Sequence, residues 1–375
     1  IKEKELIDLE NIKKLNLHLS FFNIVLGHSR YATSYLSSDK KDNVQDSHPF
    51  KGVHKKLGEF YLVHNGNINF SQTVKDKYPK LNDTKILVKI IEDIKKNNWS
   101  DIFEEVIKTI PGVFNVIVST SNKIFCFKDR YNVRPLCIGK NQTGYCVASE
   151  SVALGDYEYI SEVEGGELVE FSYNGIKRKR VSENINKICI FEYIYFLNPD
   201  SIFNNQRVFN VRYCLGKELA STENINLNDK KNIIVIGSPD TGIPSGKGFA
   251  DYLGVKYEQF LEKNKNKGRS FIISNNQGRQ EECKKKFLIN PEFSIKNKIV
   301  YFVDDSIVRG NTTKRIVNLL KEYEPKEIHI RISSPKIINI CKFGIDIPTK
   351  EELIMNRMDE KGFEKENNIE SLRYL

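Results

Sequence analysis

The sequence predicts two domains of different class: an α+β layered domain over residues 1–185, then over residues 186–375 an α/β domain whose sheet is mainly parallel. Three observations predict this. A chain of 375 residues is too long for one typical core. Its first half gathers short β-branched and aromatic runs into blocks, with helical periodicity confined to two places between them. Its second half alternates apolar runs with helical segments, the pattern of parallel strands joined by crossover helices.

In the first half, strands are expected at Phe21–Leu26, Phe60–Val63, Val113–Ser119, Lys123–Phe127, Tyr145–Ala148 and Glu167–Phe171. Helices are expected over Thr84–Lys96 and Ile102–Ile110, where apolar residues recur at three and four positions. Three short motifs sit among them. Gly27-His28-Ser29-Arg30 follows the first strand, and a guanidinium there can hold a carboxylate by two parallel hydrogen bonds. His64-Asn65-Gly66-Asn67 follows the second, where the Asn amide and the Gly N–H can stabilise an oxyanion. Asp83, between Asn82 and Thr84, can cap the next helix or hold an ammonium group. Taken singly, each has a plain structural reading, because Asn-Gly is a common tight turn and Asp before a helix is usually its cap.

Between the domains a turn at Tyr173–Gly175 leads into a linker strand and loop over Lys177–Lys187. Cys189–Ser201 is rich in aromatics and is expected to be buried core. Arg212–Ala220 reads as helix, followed by Asn232–Gly237, Gly246–Leu253, Lys298–Val303, Thr312–Tyr323 and Glu327–Ser333 as alternating strands and helices. Residues 299–313 carry the most chemistry. An apolar run ends in Asp304 and Asp305, and a loop from Ser306 through Arg309 and Gly310 opens a helix at Asn311 and Thr312. Backbone N–H groups, hydroxyls and a helix N-terminus converge there, which suits a phosphate. The carboxylates lie where open α/β sheets bind ligands, and suit ribose hydroxyls or a hydrated Mg2+ shared with a pyrophosphate. Ser238, Asp240, Thr241 and Gly242 end the first strand of this series with a hydroxyl and backbone amides fit for pyrophosphate and its metal. A basic stretch over residues 262–272 contains Lys263 and Arg269.

Composition narrows the function classes. The formal charge is +9, but Lys is spread through the chain with Asn and Glu, which argues against a nucleic-acid surface. No apolar run reaches the roughly 20 residues of a membrane span. The charged start at Ile1–Glu5 is no signal peptide, so a cytoplasmic protein is expected. Seven cysteines without a C-x-x-C pair read mostly as reduced core thiols.

Residues 299–313 resemble the phosphoribosylpyrophosphate (PRPP) loop of type I phosphoribosyltransferases. The three N-terminal motifs, in their order, resemble the N-terminal-nucleophile (Ntn) glutaminase domain of glutamine amidotransferases, a pattern shared with glucosamine-6-phosphate synthase. Asp129–Leu136 and Ala148–Leu154 add signatures that resemble those of the glutamine PRPP amidotransferase family. The resemblance implies that Arg30 binds the glutamine α-carboxylate, Asp83 its α-amine, and Asn65 with Gly66 the oxyanion. It implies PRPP binding by Ser238, Asp240, Thr241, Gly242, Lys263, Arg269, Asp304, Asp305, Ser306, Arg309, Gly310, Asn311 and Thr312, with Mg2+ at Thr241, Asp304 and Asp305. The implied reaction joins ammonia from glutamine to C1 of PRPP, the committed step of purine synthesis, in a homo-oligomer, dimer or tetramer.

Departures from the family pattern qualify this. The family's nucleophile is an N-terminal Cys, whereas this sequence begins at Ile1 and its first cysteine, Cys126, reads as core. A missing first portion is the expectation; the alternatives are a catalytically impaired or PRPP-sensing homologue, or an ammonia-only phosphoribosyltransferase. Asn132 stands where Gly is usual, and Asn tolerates the left-handed backbone such a turn needs. The basic stretch over residues 262–272 resembles the family's loop that folds over PRPP, although the family usually carries an aromatic near the position of Asn266. Cys189 and Cys341 stand where one branch of the family has two of four ligands to a 4Fe-4S cluster; two thiolates do not hold one, so in this sequence they read as core thiols, and for a full-length protein the resemblance leaves both a cluster and its absence open.

Overall fold

In a computed structural model, the described residues are 23–29, 47–225, 227–264, 287–345, 347 and 349–375. The expectations placed on Phe21, Phe22, Arg30 and Arg269 lie outside them. The chain forms two compact units, Ile1–Cys189 with Cys341–Asp346, and Ile190–Ile340 with Ile347–Leu375.

The first unit runs β1 (Phe50–His54), β2 (Gly58–Ile68), α1 (Gln72–Lys77), α2 (Asp83–Asp93), α3 (Trp99–Thr109), β3 (Gly112–Ser119), β4 (Ile124–Lys128), β5 (Cys137–Asn141), β6 (Gly144–Ala148), β7 (Glu158–Glu162), β8 (Glu167–Ser172) and β9 (Gly175–Arg180). An antiparallel six-stranded sheet has the order β1-β2-β3-β4-β8-β9, and a three-stranded sheet the order β6-β5-β7. Alternation along the strands decides the layers. Leu62, Val116, Val118, Phe125 and Phe127 meet Ile86, Leu87, Ile91, Phe103 and Val106 of the two longer helices. On the opposite face Cys126, Val169 and Phe171 pack with Leu136, Ile138 and Val163 of the second sheet region. Each such buried apolar side chain is worth about 1.5–3 kcal/mol.

Several expectations need correction here. Residues 23–29 form no strand, and the Asn65-Gly66 pair lies within the eleven-residue β2 instead of following it. Strands β1, β5 and β7 went unread because FKGVH, CIGKN and EYISE carry too few apolar residues to show a strand period. The stretch after Lys177 begins within β9, which pairs with β8 and so belongs to the first unit's sheet. Asn132 does adopt the left-handed backbone, at φ 56°.

The second unit runs β10 (Ile202–Phe203), β11 (Gln206–Arg207), α4 (Val208–Ser221), β12 (Ile233–Gly237), α5 (Ile243–Leu253), β13 (Lys256–Tyr257), β14 (Leu261–Lys263), β15 (Phe287–Ile289), β16 (Ile299–Asp304), α6 (Asn311–Lys321), β17 (Glu327–Ile332), α7 (Ile354–Arg357), α8 (Glu360–Asn367) and β18 (Ser371–Tyr374). Its five-stranded sheet has the order β13-β12-β16-β17-β18, with every pairing parallel. Helices cover both faces. Leu219, Phe249 and Leu253 pack on Ile233, Val235 and Tyr301 on one side, while Ile316, Leu320 and Phe363 pack on Ile234, Ile236 and Phe302 on the other. Strand β16 is therefore central and buried along its whole length.

The aromatic segment before this sheet is only half core. Tyr193, Ile194 and Leu197 are buried, but Ile190, Tyr195 and Phe196 are 43, 52 and 42% exposed, because a helical turn over Glu192–Phe196 turns part of its surface outward. The cysteines are likewise divided. Cys126 and Cys137 are buried, Cys146, Cys189 and Cys341 are partly exposed, and Cys214 is exposed. No helix among the described residues is long and apolar enough to cross a membrane.

Candidate functional site

The parallel sheet delivers its chemistry at the C-terminal end of β16. Asp304 and Asp305 are both 6% exposed. The Asp305 N–H donates to Asp304 Oδ1 at 2.9 Å, and the Ser333 N–H donates to the Asp304 carbonyl at 3.0 Å, so the strand end is pinned on both sides. Ser306 Oγ donates to Asp305 Oδ1 at 2.6 Å, and Thr241 Oγ1 donates to Asp305 Oδ2. Burial pushes the Asp305 carboxyl above the usual carboxylate range, while the Ser306 and Thr241 hydrogen bonds and the charge of Arg212 pull it back.

Thr241 reaches Asp305 because the 238–242 loop hugs the neighbouring strand end. The Ser238 N–H donates to Val303 O at 2.8 Å, and the Gly242 N–H closes the loop onto Ser238 O at 2.9 Å. A Cβ on Gly242 would stand 2.6 Å from Val303 O, so only glycine permits the approach. Beyond Asp305, α6 starts from Gly310 without any side-chain cap. Its first-turn N–H groups are left facing outward, with Asn311 and Thr312 exposed beside them. Arg309 is tied by Nε to Glu352 at 2.5 Å, which holds the Glu352 carboxyl below its ordinary value. Lys263 Nζ lies 3.1 Å from Asp240 Oδ2. The structure thus joins Thr241 to Asp305 and Ser306, and Lys263 to Asp240. Sequence reasoning missed Ser333 and Glu352, neither of which stands in a motif.

These residues offer hard oxygen donors. Mg2+ commonly takes one or two carboxylates and completes its shell with water and substrate phosphate, so the donor set of Thr241, Asp304 and Asp305 fits it. Among the described residues no three His, Cys, Asp or Glu side chains converge, so there is no closed protein cage. A 4Fe-4S cluster needs four thiolates, and the same observation leaves Cys189 and Cys341 without a cluster site among the described residues.

In the first unit, β2 sets Asn65 opposite Asn115 and Gly66 opposite Phe114 on β3. Gly66 has φ 148°, and a Cβ there would stand 2.1 Å from Val113 O. Asn65 and Asn115 line a cavity of about 210 Å³ together with Gly27, His28, Leu136 and Ser149. Asp83 is not part of that lining. It occupies the first turn of α2, whose cap is Asn82, accepting from the Lys85 N–H at 2.8 Å. Asp83 itself accepts from the Ile68 N–H at 3.1 Å and the Thr84 N–H at 2.8 Å, and lies 3.9 Å from His64 Nδ1. Burial holds that imidazole below its ordinary value, although Asp83 pulls the other way. In the Asp129–Leu136 signature, Asp129 accepts from the Phe114 and Tyr131 N–H groups, and Arg134 donates to Phe343 O at 3.0 Å.

Known proteins sort the two units into classes. Residues 36–156 match the glutamine amidotransferase domain family, and residues 214–335 the phosphoribosyl transferase domain family. Together they define a pentosyltransferase that carries a glutamine amidotransferase domain. Amidophosphoribosyltransferase of Rattus norvegicus is 32% identical over 98% of this chain and 74% of its own length. That of Bacillus subtilis is 34% identical over 93% of this chain and 73% of its own. A solved structure of B. subtilis glutamine PRPP amidotransferase, complexed with ADP and GMP, superposes with a TM-score of 0.80 at 32% identity, covering 93% of this chain and 75% of that one. The chain belongs to the amidophosphoribosyltransferase family, the enzymes of the first step of purine biosynthesis.

Proposed function

We propose that the two units divide one reaction: PRPP, glutamine and water become 5-phosphoribosylamine, glutamate and pyrophosphate. The glutaminase half is assigned to residues 1–185 and phosphoribosyl transfer to residues 186–375. The observation that carries the reading is the buried Asp304–Asp305 pair at the end of the central parallel strand, laced through Thr241 to the neighbouring loop.

Displacement of pyrophosphate from the sugar leaves positive character on C1 and negative charge on the leaving group, so positioning and charge are what the protein must supply. The N–H groups at the start of α6, with Ser306, Gly310, Asn311 and Thr312, hold the 5-phosphate. Asp304 and Asp305 hold the ribose hydroxyls and, with Thr241, share a Mg2+ that offsets pyrophosphate charge when bound. Ser238, Asp240 and Gly242 shape the pyrophosphate subsite, and Lys263, Arg269 and Arg309 supply cations. In the first unit Asn65 Nδ2 and the Gly66 N–H meet the oxyanion, while Arg30 and Asp83 take the α-carboxylate and α-amine of glutamine. The attacking nucleophile is assigned to no residue between Ile1 and Leu375. A cytoplasmic homo-oligomer completes the reading.

The test is pyrophosphate release from PRPP in the presence of Mg2+, with ammonium or glutamine as nitrogen donor. Release that depends on PRPP, on Mg2+ and on the amine supports the assignment. Turnover of a nucleobase in place of ammonia would replace it with an ordinary phosphoribosyltransferase.

A further inference from the structure

The glutaminase reading leaves Asn115, a polar group of the cavity wall, unused. Asn115 stands directly across the strand pair from Asn65, so both side chains leave the sheet on the same face. Both line the cavity of about 210 Å³, which is smaller than the roughly 300–1,000 Å³ typical of larger ligands and suits an amino acid. Asn115 is 3% exposed, and one contact fixes its amide: Nδ2 donates to Pro135 O at 2.6 Å. That orientation leaves Oδ1 as the acceptor, and Oδ1 is buried with no hydrogen-bond partner among the described residues. Buried polar atoms are nearly always paired, so an orphan on the wall of a cavity points to a partner that enters it.

The partner must be a donor, because an amide oxygen only accepts. The side chain of glutamine presents two groups with opposite needs. Its carbonyl oxygen requires donors, which Asn65 and Gly66 supply in the reading above, and its –NH2 requires an acceptor. Glutamate, the product, has no proton to give there at neutral pH and brings a carboxylate toward the Oδ1 lone pairs.

We infer that Asn115 selects a carboxamide over a carboxylate, its Oδ1 accepting from the –NH2 of L-glutamine while Asn65 and Gly66 meet the carbonyl oxygen. This rests on the glutaminase reading and deepens it. Asn115 makes and breaks no bond; it is a positioning and specificity residue, and it makes product glutamate the weaker ligand.

The experiment is calorimetric titration of the intact protein with L-glutamine, L-glutamate and L-glutamate γ-methyl ester, which keeps the carbonyl but replaces –NH2 with a group that cannot donate. The wild-type protein is expected to prefer glutamine over the ester by about ten-fold, the worth of one hydrogen bond to a buried partner. In Asn115→Ala that preference should shrink to near unity while the ester binds as before. An equal loss for both ligands would make Asn115 merely structural. A wild-type protein that binds glutamine and ester alike, as when a water satisfies Oδ1, would overturn the role of Asn115 alone; this comparison needs no variant and stands even if Asn115→Ala fails to fold. Binding of none of the three ligands would remove the glutaminase reading as well.

Discussion

Thr241 donates its hydroxyl proton to Asp305, so the loop that ends β12 and the loop that ends β16 meet at one carboxylate. This bond does two things. It orders the 238–242 loop against the central strand, and it steadies a carboxylate that burial disfavours in its charged form. Removing the hydroxyl with Thr241→Val keeps the shape and deletes the bond. Stability should fall by about 1 kcal/mol, and the PRPP KM should rise several-fold with both loops loosened. Thermal melts and PRPP titration of the rate check this; an unchanged KM would mean that the contact is structural only.

Asp305→Asn separates binding from stability. Because the folded-state pKa of Asp305 is raised above its unfolded value, the group contributes stability that is fully present below the unfolded pKa and is lost as pH rises through the folded one. At neutral pH, above the unfolded pKa, burying this group is therefore a cost to folding. Asp305→Asn should leave the neutral-pH melting temperature equal or higher, flatten its decline with rising pH, and still weaken PRPP binding. A variant that melts lower and binds PRPP normally would contradict both halves of the argument.

Gly66→Ala tests the backbone at the proposed oxyanion pair. The added Cβ would stand 2.1 Å from Val113 O, at a φ of 148° that alanine rarely adopts. Overpacking of this kind costs about 1–3 kcal/mol, and the neighbouring strand must shift to accommodate it. A melting temperature equal to that of the wild type would show that β2 and β3 move apart freely.

How much of this was legible beforehand depends on where the signal resides. Ile299–Asp304 is apolar through to its carboxylate, so its burial and its parallel setting could both be read from residues. Asn132 could be read too, because its type matches its φ of 56°. The Asn65-Gly66 pair misled, since Asn-Gly normally turns a chain and here continues β2 for two further residues, held by eight cross-strand pairings. Asp83 misled for a related reason: Asn82 competes for the same cap, and only the Lys85 N–H contact decides between them. Asn115, Glu352 and Ser333 matter through residues distant in sequence, and no local pattern announces such pairs.

Arg331 and Glu223 form an ion pair whose side chains are 1 and 3% exposed. Replacing Arg331 with Met leaves Glu223 a buried charge whose remaining cation, the half-exposed Arg373, is 3.6 Å away, and should cost up to about 3–5 kcal/mol. Adding Glu223→Gln removes the stranded charge, so the double variant should be more stable than Arg331→Met alone. Chemical denaturation of the three proteins gives the comparison, and an additive loss in the double variant would show that the pair is not coupled.

Lys263 and Asp240 form the contrasting pair. Their atoms are 3.1 Å apart but their side chains are 50 and 60% exposed, so water and salt screen the attraction and its worth to folding is under about 1 kcal/mol. Both nevertheless belong to the proposed pyrophosphate subsite, where Lys263 must exchange Asp240 for a phosphate oxygen once PRPP arrives. Lys263→Ala should therefore leave the melting temperature within error while raising the PRPP KM, with a weaker dependence of that KM on ionic strength than in the wild type. Asp240→Asn separates the two roles of the aspartate. If Asp240 only occupies Lys263 between turnovers, the variant frees the lysine and the PRPP KM falls; if Asp240 also helps to hold the metal-bound pyrophosphate, the KM rises and added Mg2+ partly restores it. A Lys263→Ala protein with wild-type KM at low salt would remove Lys263 from the subsite and leave the contact as an ordinary surface ion pair.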